Sequence, residues 1–224
     1  MSLNSERDEI TGVVNRLLDN LSLTASSQTG RQGVALRRQI GDVRAHFFAY
    51  LQDATFAIQL LACFTAAHEA NVKLASLVAV HNAIYEEVPV GEITTAIVQA
   101  ATGFCLATES RMITDIEFTS RDDVEVMMKT MKAAFDTARD LAADAVDSNS
   151  YQTLTYLAGA LTNHLANVAR PLPRMITFRM PISLPALALS NRVYHTAERW
   201  EEIVQENKTV HPAFCQRDIR GLSS

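Results

Sequence analysis

No stretch of about 18 consecutive apolar residues occurs in this 224-residue chain, so no membrane-spanning helix is expected. The most apolar run, LQDATFAIQLLACFTAAHEA, is interrupted by Asp53, Gln59 and Glu69. The opening MSLNSERDEI is acidic and polar and has no apolar core segment, so no secretory leader is expected there. Cysteine is scarce: Cys63, Cys105 and Cys215 are few, odd in number and far apart. That pattern excludes a disulfide framework and fits a reducing origin.

The motifs of common catalytic and metal sites are also missing. The sequence has no GxSxG, no phosphate-binding P-loop and no GxGxxG. The six histidines, His46, His68, His81, His164, His195 and His211, fall in no HExxH or other metal-ligand spacing. Cys63 and His68 are five residues apart, which does not put them on one helix face. No nucleophile is paired with a base, so the chain is not expected to be an enzyme, and no cofactor or metal is expected.

Positive charge is in short supply. The net charge is −5, unevenly spread. Residues 1–170 carry 13 Lys and Arg against 20 Asp and Glu, a charge of −7. Residues 171–224 carry 7 against 5, a charge of +2. An acidic body is a poor partner for nucleic acid, whose non-specific binding depends on cations meeting phosphates. One basic cluster stands out: Arg31, Arg37, Arg38 and Arg44 lie on adjacent stripes of one expected helix. It reads either as a contact for phosphate or an acidic partner, or as a solvated face. The carboxylates Glu109, Asp115, Glu117, Asp122, Asp123 and Glu125 cross a helix junction; they read either as a cation site or, preferably, as solvated charge, with capping and the helix dipole accounting for Asp122 and Asp123.

Apolar residues make up 48% of the chain and charged residues 20%, which marks it as globular. Helical periodicity dominates to about Ala169. A first helix is expected from Asn4 or Ser5, with Ile10, Val13, Val14, Leu17, Leu18 and Leu21 as its stripe. SLTASSQTGRQG reads as a flexible linker. Further helices follow from Val34, with a break near Asp53, then through NVKLASLVAVHNAIYEE, buried by Leu74, Leu77, Val78 and Ile84. The next carries Ile93, Ile97, Phe104 and Met112. Ser120 and Asp123 form an expected capping box. It precedes a heptad-like seam of Val124, Met128, Met131, Phe135, Ala138, Ala142 and Ala145. The last long helix is striped by Tyr151, Leu154, Leu157, Leu161, Leu165 and Val168.

RPLPRM marks the expected domain boundary, between a helical domain at 1–170 and a small unit at 171–224. MITFRM is the one convincing strand. A short helix from Ser183, a second capped by Thr196, and a strand within AFCQRDIRGL complete a β-α-α-β order. So small a unit needs large burial per residue, which Tyr194, Trp200, Ile203 and Phe214 are expected to supply as its core. Trp200 has one other reading, as an exposed platform for a glycan.

FTSRDDVEVMMKTMKAAFDTA, ARPLPRMITFRM, LPALALSNRVYHTAERWEEIVQENKTVHPAF and the terminal RGLS resemble the C-terminal half of the DNA circularisation proteins of Mu-like phages. The likeness runs from about Gly33 to the end, and implies a further N-terminal domain ahead of this stretch. The tail also resembles a LysM module: Tyr194 and Trp200 match, while MPISLPAL and YHTAERW replace the Gly-Asp elements of such modules. The fold implied is mainly α, a multi-helix domain followed by a small βααβ, LysM-like module.

The resemblance implies a structural virion protein of the tail tip or baseplate hub, made in the bacterial host cytoplasm. It would act in tail assembly and genome delivery. Its partners would be other tail and baseplate proteins and copies of itself. Two alternatives follow from the same likeness. One is non-covalent binding of DNA ends, circularising or protecting injected DNA. The other is peptidoglycan binding through the tail.

Overall fold

The computed structural model describes residues 3–223, with side chains from Ser5 onward. Among them the chain forms seven long helices and then a short strand–helix–helix–strand segment. The helices are α1 (Leu3–Ser26), α2 (Gly30–Gln52), α3 (Phe56–Glu69), α4 (Leu74–Tyr85), α5 (Glu92–Thr114), α6 (Arg121–Asp144) and α7 (Ser148–Ala169). After them come β1 (Met175–Arg179), α8 (Ala186–Tyr194), α9 (Trp200–Glu206) and β2 (Asp218–Leu222). Asn4 and Ser5, expected at the start of the first helix, lie within α1, and the Asn4 side chain expected to cap it is outside the described residues. The chain divides into two compact units: residues 1–116 with 131–161, and residues 117–130 with 162–224.

In the first unit α1 buries the whole expected stripe from Ile10 to Leu21. It packs on α2, α4 and α5, while α2 packs on α3 through Leu36, Ile40, Val43 and Phe47. The expected flexible linker is mostly helix. α1 continues to Ser26 and α2 begins at Gly30. The Arg37 guanidinium explains the tight corner, because it donates to the Ala25 carbonyl at 3.0 Å and the Gln28 carbonyl at 2.8 Å. The Ala25 carbonyl, in the last turn of α1, also accepts the Gln28 N–H at 3.2 Å, and Gln28 lies past the helix end, where carbonyls lack intrahelical partners. Gly33 is required at the same corner, since a Cβ there would stand 2.5 Å from the Gln28 carbonyl oxygen.

α5 is buried on nearly every side, by Ile97, Val98, Ala101, Cys105, Leu106 and Ile113 together with Thr94, Thr102, Thr108, Glu109 and Ser110. Sequence periodicity put its stripe at Ile93, Ile97, Phe104 and Met112, but Ile93 is exposed, and Phe104 and Met112 are half-buried. In α4, Val80 and His81 are buried where Leu74 and Val78 were expected, and those two are half-buried. The α6 seam is buried from Val124 through Met131, Phe135, Ala138 and Ala142. Met128 is half-buried, and Ala145 falls past the helix end and is exposed. Ser120 accepts from the Asp123 N–H at 3.2 Å, and its own hydroxyl donates to the Asp123 carboxylate at 2.6 Å. The return arm of the capping box is thus hydroxyl to carboxylate.

The second unit holds an antiparallel two-stranded sheet with the register Met175↔Leu222, Phe178↔Ile219 and Arg179↔Asp218. It reaches back beyond residue 171, because the turn before β1 is pinned to the start of α6. The Arg121 N–H donates to the Pro173 carbonyl at 2.9 Å, and the Met175 N–H donates to the Asp122 carboxylate at 2.6 Å. Two helix starts differ from expectation. Pro185 precedes α8 rather than lying inside it. Thr196 bonds the Glu198 N–H in a turn, and Arg199 takes the position before α9.

One long-range cap ties the first unit together. The Glu9 carboxylate on α1 accepts from the N–H of Val90 at 2.7 Å, the N–H of Gly91 at 3.2 Å and the Thr94 hydroxyl at 2.9 Å. An anion at the start of α5 also complements its dipole. The backbone donors, Val90 first, hold the Glu9 carboxyl below its ordinary range. A lowered folded pKa contributes stability above the unfolded value, and that stability is lost as pH falls through the folded value. Glu9→Gln should therefore lower the melting temperature at neutral pH. Melting curves of variant and parent should converge on acidification below about pH 4, and a gap that persists there would show that the charge is not what matters.

Candidate functional site

Three groupings carry the chemistry that the sequence singled out. The first is the arginine cluster on α2. All four side chains lie at exposed positions, but two are engaged inside the fold. Arg37 closes the α1 end, and Arg44 pairs with Asp19 at 2.6 Å. Asp42, within the cluster, is held by the Tyr50 hydroxyl at 2.6 Å and lies 3.3 Å from His46. Arg31 and Arg38 form no ion pair with the described residues, so the surface cation available to a phosphate is half of what the sequence offers.

The second grouping is in the interior of the helical unit. His81 on α4 and Glu109 on α5 are buried together, and Nδ1 of His81 donates to both carboxylate oxygens at 3.1 and 3.2 Å. The His81 ring lies 4.5 Å from that of Tyr85, whose hydroxyl donates to the Ala134 carbonyl. Nε2 of His81 is buried without a hydrogen-bond partner among the described residues. Burial, with Glu109 nearby, pushes the Cys105 thiol well up. Burial also lifts the Cys63 thiol to about 12, so neither supplies a thiolate at neutral pH. This pair locks packing, because deleting one side would strand the other in the core.

The six carboxylates that read as a cluster are dispersed. Glu109 meets His81, and Asp115 lies 3.3 Å from His68. Asp122 caps the Met175 N–H, Asp123 meets Ser120, and Glu125 pairs with Arg121 at 3.0 Å. Glu117 is exposed. Among the described residues no group of three or more His, Cys, Asp and Glu is placed to hold a metal ion.

The third grouping is the tail module. Its core is Met180, Ala186, Leu189, Ile203, Cys215 and Ile219, with Phe178, Tyr194 and Trp200 packed against it half-buried. Ile203 is core as expected. Phe214 is not: it is 74% exposed, and its neighbour Cys215 points inward at 2%. The physical reason is room, since the small core that Cys215 shares with Ile203 and Ile219 takes a thiol where a phenyl ring would overpack it.

Tyr194 is fixed by partners that sequence reasoning missed. Arg199 lies over its ring at 3.8 Å and forks onto Glu202, and the Tyr194 hydroxyl donates to Glu202 at 3.0 Å. Burial, then Glu202, pushes the Tyr194 phenol up to about 12. Gly221 makes room, because a Cβ there would meet the Tyr194 hydroxyl. The i, i+3 spacing of Arg199 and Glu202 was the available signal. Asn207 joins α9 to β2, exchanging two hydrogen bonds with the Arg220 backbone at 2.7 and 2.8 Å.

Comparison of the chain with protein-family models and with curated proteins gives no match.

Two pairs of substitutions separate structure from surface. Arg37→Ala should destabilise by about 1 kcal/mol through the lost carbonyl contacts, whereas Arg38→Ala should change stability by less than about 0.5 kcal/mol. Equal effects in thermal melts would reject the capping role. Trp200→Ala should cost about 1–3 kcal/mol, less than a fully buried aromatic. Phe214→Ser should leave the melt unchanged, and a clear loss there would return Phe214 to the core.

Proposed function

We propose that this chain is a structural assembly component of a Mu-like phage tail tip or baseplate hub, with a LysM-like tail module. It works by docking rather than by catalysis. The observation that carries the docking reading is Phe214, an exposed aromatic on a loop whose backbone is hydrogen-bonded on either side, at Pro212 and Cys215. The phage setting rests on the sequence resemblance alone. The β-α-α-β order with antiparallel strands supports the LysM-like reading of the tail.

A DNA-end role is less well supported. It draws on Arg31 and Arg38 against a chain of net charge −5, and each phosphate contact adds roughly one unit to the salt slope. Peptidoglycan binding has one observation in its favour, since an exposed ring such as Phe214 suits the apolar face of a sugar.

The test is mass spectrometry of virions purified from a lysogen carrying this gene. The chain is expected in the tail fraction at a fixed copy number, and its absence from particles would overturn the assembly reading. A titration of labelled blunt duplex at two salt concentrations should give no sub-micromolar binding at physiological salt. Tight binding that collapses in Arg31→Glu/Arg38→Glu would put the DNA role first. Retention on cell-wall sacculi that disappears with Phe214→Ser would put the glycan role first.

A further inference from the structure

The tail module exposes apolar side chains on two adjoining loops, Ile182 at 57%, Phe214 at 74% and Val210 fully, and Leu187 at 54% in the first turn of α8. The loops are stitched together. The Ala186 N–H donates to the Pro212 carbonyl at 2.7 Å, and the Cys215 N–H to the Leu184 carbonyl at 3.2 Å. The Ser183 hydroxyl donates to the Cys215 carbonyl at 2.7 Å. Beside Phe214, the buried Cys215 anchors the chain, and the His211 ring stands 5.8 Å from the phenyl ring. Lys208 and Arg217, both exposed, flank the loop in sequence. A loop tied down at Pro212 and Cys215 loses little backbone freedom on binding, which is what an interface anchor needs.

The helical unit offers a surface of the opposite kind. A cleft of about 280 Å³ lies between the end of α4, α5 and the last turns of α6, with Ile84, Tyr85, Pro89, Val98 and Leu141 as its apolar walls. Glu87 and Asp144 also line it. Glu87 is neutralised by Arg16 at 2.6 Å, while Asp144 pairs with no cation among the described residues. The cleft is apolar with an open acidic edge, and the loop is apolar with basic neighbours.

We infer that the two surfaces bind each other between copies of this chain, the Phe214 loop of one copy seating in the Ile84–Leu141 cleft of the next. Charge selects this pairing. Residues 117–130 with 162–224 carry 10 Lys and Arg against 9 Asp and Glu, a charge of +1, and residues 1–116 with 131–161 carry 10 against 16, a charge of −6, so loop-to-cleft contact joins opposite signs, whereas loop-to-loop or cleft-to-cleft contact joins like signs. The contact is heterologous, which builds rings where the rotation closes and filaments where it does not. One loop in one cleft buries less than the roughly 1,000 Å² of a stable interface. Association is therefore weak alone and strengthened by closure or by neighbouring subunits. This deepens the assembly reading and rests on it.

Sedimentation velocity of the full chain, over a range of concentrations at low and high salt, tests the inference. The parent should self-associate with concentration and more strongly at low salt. Phe214→Ser and Asp144→Lys should each weaken association by about tenfold or more, with unchanged circular-dichroism melts. Leu141→Lys is a second cleft variant. An equimolar mixture of Phe214→Ser and Leu141→Lys retains one good loop and one good cleft, so it should recover a dimer and nothing longer. A parent that stays monomeric at every concentration, Phe214→Ser associating like the parent, or a mixture no better than its components would each overturn the inference. A monomeric parent that is nonetheless found in virions overturns this inference alone. Self-association by a chain absent from virions overturns the phage setting alone.

Discussion

The helical unit depends on burying α5 without leaving its polar groups unmet. A helix that is enclosed on most sides has no water to satisfy threonine, serine and glutamate, and each unmet group would cost roughly 1–3 kcal/mol. α5 meets the demand internally. Thr102, Thr108 and Ser110 return their hydroxyls to the carbonyls of Val98, Phe104 and Leu106, four residues back. Glu109 finds His81 on α4, and Glu9 on α1 covers the N-terminus. Because Glu109 and the Glu9 cap are directional, they fix the rotation of α5 as well as its burial. Apolar contacts alone would leave that rotation looser. The cleft beside Val98 follows from this, since the rotation decides which face of α5 lies open beside α4 and α6.

Helix existence was legible in the sequence, and the faces were legible only where one side of a helix stays wet. α1 and α6 have polar outer faces, so their 3.6-residue period reads directly. α5 has no wet side over most of its length. Its threonines and serine look like solvent positions in a periodicity argument, which is why the expected stripe settled on Ile93, Phe104 and Met112. The 22–33 segment failed for another reason. Its serines, threonines and glycines read as loop by composition, but the corner is set by Arg37, a contact nine to twelve residues distant that local patterns do not contain.

The arginine cluster and the tail core show the same limit on the functional side. Stripe geometry on α2 placed four arginines correctly on one helix, and could not say that the neighbouring α1 claims two of them. In the tail, Tyr194, Trp200 and Ile203 lie in or against the core, because βααβ spacing puts α8 and α9 over the strands. Phe214 and Cys215 are adjacent, and only one of them faces inward at that point of the chain. Size argued for the phenylalanine, but the inward position is held by the Cys215 thiol, which shares its core with Ile203 and Ile219.

That inversion has a consequence for what the tail is free to do. The module's packing rests on aliphatic side chains, on the thiol of Cys215 and on the Arg199–Tyr194–Glu202 lock. None of these needs Phe214. A residue that contributes little to its own fold can change its contacts at little cost to stability, unlike Trp200 or Ile203. The same loop is nonetheless tied to the core, through the buried Cys215 and the backbone bonds made by Cys215 to Leu184 and by Ala186 to Pro212. A backbone tied to the core and a side chain without structural duty is the combination that lets a surface aromatic bind selectively. The same logic separates Arg31 and Arg38, which fold nothing, from Arg37, which holds a corner. Surface chemistry in this protein is therefore to be sought among side chains that the fold holds still but does not use.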